Sequence, residues 1–188
     1  DLCVGKKRWG KLMELELAQL LDREKIRACL AALARGEDRR DEALIRSACW
    51  PDGTSDYGVF KGSFTDYLGW VIPGSDAITN TQHFLGQSHI ELNGDMARVE
   101  THLISYHRVV GEDGQDSDMC IGGRYLDVME KRDGEWRILA RTLIYDWDKH
   151  WGPSADWSQG VMGLPMASDD YYGKAHGDIS KAFFGGEA

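Results

Sequence analysis

The sequence predicts an α+β fold, a cone-shaped α+β barrel in which N-terminal helices pack on a strongly bent antiparallel sheet. Three observations predict it. Ile26, Cys29, Leu30 and Leu33 fall at i, i+3, i+4 and i+7, the apolar stripe of a helix that lies on a core. Asn93-Gly94 and Asp133-Gly134 are short-range hairpin signals, each set between runs of strand character. Ala97 to Ile104 alternates apolar and polar residues, as a half-buried strand does. Helical segments crowd the first part of the chain and long strands the second, which is the α+β order. Such an arrangement can enclose a conical pocket.

Residues 11–21 are rich in strong helix formers, though apolar nearly all round. Asp22 suits the cap of a second helix, which Gly36 interrupts, and residues 43–48 suit a short third helix that stops before Pro51. Trp50-Pro51-Asp52-Gly53 reads as a turn, and Thr54 to Phe60 as a short strand holding Tyr57. Ser63 is placed to cap a helix that closes at Pro73-Gly74. Residues 82–92, 95–110, 119–132 and 135–147 then read as four antiparallel strands. The acidic stretch 111–118 lacks the spacing to a terminal Glu that a calcium loop needs, so it reads as a solvated hairpin tip. The domain is expected over 11–147, with 148–188 an aromatic-rich extension that wraps its own barrel or a neighbouring subunit.

Composition narrows the function classes. A chain of 188 residues with net charge −9 is a poor partner for nucleic acid, whose phosphates call for a basic face. No window approaches 18 consecutive apolar residues, so no membrane span is expected, and the first residues lack the apolar run of a signal peptide. Cys3, Cys29, Cys49 and Cys120 are scattered, with no Cys-x-x-Cys and no histidine at metal spacing. A reducing, cytoplasmic setting with no disulfide, metal or cofactor is the expectation.

Two titratable residues stand out. His83 lies in a long strand; on pattern alone a strand histidine is more often a hydrogen-bonded structural group than a base. Asp38 sits in the charge run Glu37-Asp38-Arg39-Arg40-Asp41, where a solvated carboxylate or helix cap is the ordinary reading.

Several stretches in order and spacing add to this: Leu33 through Asp41, Trp50-Pro51-Asp52-Gly53, Phe60-Lys61-Gly62, and His83-Phe84-Leu85-Gly86-Gln87 leading to Glu91 through Ala97. Gly123 to Asp127 and Lys131 to Ile138 continue the series. Together they resemble the SnoaL-like branch of the nuclear-transport-factor-2-like superfamily over roughly residues 20–147. That superfamily includes scytalone dehydratase, hexachlorocyclohexane dehydrochlorinase, ketosteroid isomerase, polyketide cyclases and bile-acid dehydratase, as well as binding and assembly modules. The resemblance implies an Asp–His dyad at the mouth of the cone, matched by Asp38 and His83, and an Arg on the last strand, matched by Arg141. The dehydrochlorinase Lys that precedes the Asp is replaced by Leu33, which disfavours chloride and favours an oxygenated leaving group. Trp50, Tyr57, Tyr125, Leu33 and Leu103 are the expected pocket lining, and Arg124 and Asp127 are expected to pair across strands.

The activity so implied is a cofactor-independent lyase acting on a hydrophobic, aromatic or polycyclic hydroxylated small molecule. Dehydration is the simplest form, and loss of formaldehyde from a lignin-derived diarylpropane another. A non-catalytic ligand-binding module, or an isomerase or aldol cyclase, remains the alternative. A homo-oligomer, a trimer in preference to a dimer, is the expected assembly.

Overall fold

A continuous helix, α1 (Leu2–Arg39), enters the core only along its second half, where Ile26, Cys29, Leu30 and Leu33 are buried as their spacing predicts. The computed structural model describes residues 2–74 and 77–184, with side chains from residue 9 onward. The side chain of Cys3 and residues 185–188 of the extension lie outside the described residues.

The first two expected helices are therefore one. Asp22 caps nothing; its carboxylate accepts from Lys131 Nζ at 3.0 Å and Trp136 Nε1 at 2.8 Å, tying the helix to the far end of the sheet. Gly36 does not stop the helix either. Glycine costs a helix interior about 1 kcal/mol relative to alanine, but a Cβ here would sit 2.7 Å from Ile45 Cγ1. The missing side chain lets the next helix, α2 (Glu42–Ala48), fold back against α1. The reversal runs through Arg40 in the left-handed region (φ 50°), and Asp41 caps α2 through the Leu44 N–H.

The strands are β1 (Cys49–Asp56), β2 (Lys61–Ser63), β3 (Ile78–Asn93), β4 (Met96–Val110), β5 (Asp116–Arg132) and β6 (Glu135–Pro153). Helix α3 (Phe64–Val71) follows β2, with Ser63 and Asp66 forming a reciprocal capping box. The sheet order is β2-β1-β6-β5-β4-β3. The four long strands pair antiparallel as expected, but β1 adds parallel to β6, so the sheet is mixed, and it is bent without closing. Trp50-Pro51-Asp52-Gly53 lies within β1 and makes an irregularity in its pairing with β6, not a turn between elements.

Bulges set which residues face inward. Between Leu85 and Ser88, β3 carries one residue more than its partner β4, so the inward set changes from Thr81, His83 and Leu85 to Ile90 and Leu92. On β4 the odd-numbered residues Leu103, Ser105, His107 and Val109 face the helices.

The strand β6 continues past Trp147 to Pro153. Beyond it the chain returns along the open edge of β3, where Ala175 donates its N–H to the Thr79 carbonyl at 3.1 Å. Asp178 pairs with Arg39 Nε at 2.9 Å, and Arg35 donates to the Ser180 carbonyl at 2.9 Å. The extension thus braces the last turn of α1.

Candidate active site

The last turn of α1 carries two consecutive carboxylates with different surroundings. Glu37 stands one further helical step beyond Ile26, Leu30 and Leu33, on the same inward stripe, and is 3% exposed. Asp38, 7% exposed, is turned toward β3 by the roughly 100° that separates neighbours on a helix.

Asp38 Oδ1 lies 2.6 Å from His83 Nδ1, and the same carboxylate accepts the His83 backbone N–H at 2.9 and 3.1 Å. With Nδ1 engaged, Nε2 is left facing the interior, 4.0 Å from Glu37 Oε2. Burial alone disfavours the charged ring. The hydrogen bond to Asp38 and the nearby charges of Glu37 and Asp38 outweigh it, so the His83 pKa is raised above its ordinary value of 6.5. The charged ring therefore stabilises the fold fully below about pH 6.5, and that contribution is lost as pH rises through the raised value.

Glu37 Oε1 accepts hydrogen bonds from Tyr57 at 3.0 Å and from Tyr67, while Oε2 is buried without a hydrogen-bond partner. The two tyrosine rings stack in parallel, centroids 5.4 Å apart. Burial first, and the Glu37 charge second, push both hydroxyls well above the usual phenol range, so both remain donors. His107 stands edge-on to His83 at 6.1 Å and is bonded to Thr81 Oγ1 at 3.3 Å and Ser105 Oγ at 3.2 Å. Burial, then the neighbouring His83, pull its pKa down to about 4, so it is neutral across the physiological range.

These groups line a cavity of about 320 Å³ with an otherwise apolar wall that includes Ile78, Leu103, Val109, Met119, Ile121 and Leu143. Val59, Trp70, Gly74 and Arg40 also border it. Burial pulls the Arg40 guanidinium down, and the charges of Glu37 and Asp38 oppose that shift.

Of the residues expected at the site, His83, Tyr57, Tyr125 and Leu103 line the cavity, and Asp38 stands directly behind His83. Leu33 does not line it, being packed in the core beneath. Trp50 is also elsewhere, its indole N–H donating to the Glu130 carbonyl and its ring covered by Arg132 and Arg137. Arg141 is buried below the cavity, held by Asp127 through two bonds of 2.8 and 2.9 Å and lying 3.7 Å under the Tyr125 ring. Its bonds to that carboxylate hold it beneath the cavity, where it is not itself a lining residue, but its guanidinium also engages the hydroxyl of Tyr57, which is. The expected Arg124–Asp127 pair is thus replaced by Arg141–Asp127, and Arg124 pairs with Asp146 and Glu100 at the surface.

Glu37, Tyr67, Ser105, His107 and Tyr145 are cavity residues that the sequence reading did not single out. A signal for Glu37 was present: it continues the four- and three-residue steps of the apolar stripe, but only if the helix is carried through Gly36.

No helix of the described residues is long and apolar enough to cross a membrane. No curated protein matches the chain in sequence. Solved structures do match in fold. A protein of Kribbella flavida, Kfla4162, is 19% identical with a TM-score of 0.63, over 70% of this chain and 95% of that one. A scytalone dehydratase-like protein of Novosphingobium aromaticivorans is 18% identical with a TM-score of 0.63, over 80% and 97%. A type 2 hexachlorocyclohexane dehydrochlorinase, LinA, is 19% identical with a TM-score of 0.63, over 82% and 98%. At these identities the likeness is one of fold, and the neighbours sharing it include proteins named for eliminations. The SnoaL-like domain model matches residues 18–142, well over half of the sequence, and the chain belongs to that family.

Proposed function

We propose that the protein is a lyase that removes a carbon-bound proton with His83 and expels an oxygen leaving group from a hydrophobic, hydroxyl-bearing aromatic molecule. The observation that carries the reading is the bond of Asp38 to His83 Nδ1, which leaves Nε2 as the nitrogen facing the cavity. A carboxylate on Nδ1 fixes the tautomer in which Nε2 holds a lone pair, and it stabilises the imidazolium formed on proton uptake. In a dehydration the C–H proton goes to Nε2, a carbon–carbon double bond forms and the C–O bond breaks. The departing oxygen then takes the proton back from the imidazolium and leaves as water. His83 serves as both base and acid, so this chemistry asks for no cofactor.

The aromatic wall of Tyr57, Tyr67, Trp70 and Tyr125 favours a ring-bearing substrate. Loss of formaldehyde from a hydroxymethyl-bearing diarylpropane is the neighbouring reaction for the same base and cavity. Nε2 takes the hydroxymethyl O–H proton, the carbon–carbon bond breaks to release formaldehyde, and the benzylic carbon left with the electron pair takes the proton back from the imidazolium. The test is a screen of hydroxylated aromatic metabolites by mass spectrometry. The expected result is a product lighter by water or by formaldehyde, formed by the protein alone. Tight binding of a hit without turnover, unchanged in His83→Ala, would instead establish a binding module.

The proposal extends to assembly. Phe84, Ile104 and Trp147 line a shallow groove on the sheet face opposite the cavity, and Phe84 is 69% exposed. We place the contact of a homo-oligomer, a trimer, on that face. Sedimentation at micromolar concentration should show it, with Phe84→Glu shifting the protein toward monomer; a 21.1 kDa species for the wild type contradicts it.

A further inference from the structure

Glu37 is a buried carboxylate with only half of its hydrogen-bonding capacity used. Both tyrosine hydroxyls converge on Oε1, leaving Oε2 buried and unpartnered on a residue that lines the cavity. A buried acceptor without a donor carries a substantial desolvation penalty, heavier still for a carboxylate. Its nearest charged-group neighbour across the cavity is His83 Nε2 at 4.0 Å, too far for a direct hydrogen bond. A single hydroxyl oxygen can bridge that gap, at about 2.7–2.8 Å from each atom, with the two directions close to a right angle. Such a hydroxyl donates its proton to Oε2 and presents a lone pair to Nε2 once the ring has become charged.

We propose that Glu37 Oε2 is the acceptor for a substrate hydroxyl, so that the cavity selects alcohols and phenols and rejects the matching ethers. It rests on the lyase reading only for which oxygen is held: in the dehydration it is the leaving oxygen, poised to take the proton from Nε2. The acceptor itself does not depend on turnover. Sites built to bond an O–H reject the analogue that lacks it far more strongly than a hydrophobic wall rejects an extra methyl, because the analogue leaves the buried polar group unpaired. The tyrosines hold Oε1 in place, which limits how far Oε2 can turn toward another partner.

The probes are 4-hydroxybiphenyl and 4-methoxybiphenyl, which share an apolar two-ring body and differ in the O–H donor. Binding is read by calorimetry and by fluorescence of Trp70 at the cavity. The wild type should bind the phenol at least about tenfold more tightly than the ether. Glu37→Gln keeps an oxygen for the tyrosines and places an amide donor where Oε2 was, so the preference should vanish or invert. Glu37→Asp, which draws the acceptor back by one methylene, should lose the preference too and serves if the glutamine variant does not fold. His83→Ala should keep the preference for the phenol, which separates failure of this assignment from failure of the base. Equal affinity of the wild type for both probes, no binding of the phenol, or an unchanged preference in the folded Glu37 variants would overturn the proposal.

Discussion

His83→Ala is expected to lose turnover by at least about 10²–10⁴-fold, the usual contribution of a positioned general base, with the fold retained. The ring faces the cavity, and its removal merges a small hole with a space that already exists. Asp38 is not orphaned by the change, because the backbone N–H of residue 83 still donates to its carboxylate. The variant should show the circular dichroism and substrate affinity of the wild type with no detectable product. Activity within a few fold of wild type would remove the base from the mechanism.

Asp38→Asn should come close to the same loss by a different route. The amide can still accept the His83 backbone N–H through its oxygen, so the strand stays docked. Its NH₂ group facing the ring favours a proton on Nε2, the wrong nitrogen for a base that must face the cavity. The carboxylate that offsets the imidazolium charge is lost as well. In a comparable carboxylate–imidazole pair the same exchange costs about 10⁴ in rate, and a drop in kcat of about 10²–10⁴ with little change in KM is expected here. The pH profile carries an independent signature. Activity needs the free base, so in the wild type the rate should rise through a midpoint above 6.5, because the His83 pKa is raised. In Asp38→Asn that midpoint should fall, since both the hydrogen bond and one of the charges that raise it are gone.

What the sequence made legible follows from which interactions are local. The Ser63 cap and the Asn93-Gly94 and Asp133-Gly134 hairpins depend on a few adjacent residues, and all are found where expected. Gly36 misled because its role is not local: it clears space for Ile45, a contact made only once α2 has folded back. The same error hid Glu37, whose position on the buried stripe is visible only on an unbroken helix. Arg141 was expected at the cavity on resemblance alone. Its position opposite Asp127 depends on the register of β5 and β6, which contains a bulge between Val128 and Met129 that no pattern of single residues displays. His83 and Asp38 are 45 residues apart, and here the family resemblance supplied the pairing that composition and periodicity did not.

The central claim is that Asp38 holds His83 with its proton on Nδ1 and its basic lone pair on Nε2. Nitrogen-15 NMR of the histidine-labelled protein across pH, with His83 assigned from the His83→Ala spectrum, tests it without knowledge of the substrate. The account predicts a His83 titration with its midpoint above 6.5, a neutral form protonated on Nδ1, and a switch to the Nε2-protonated tautomer in Asp38→Asn. A wild-type ring protonated on Nε2 when neutral, or a midpoint below 6.5, would contradict it.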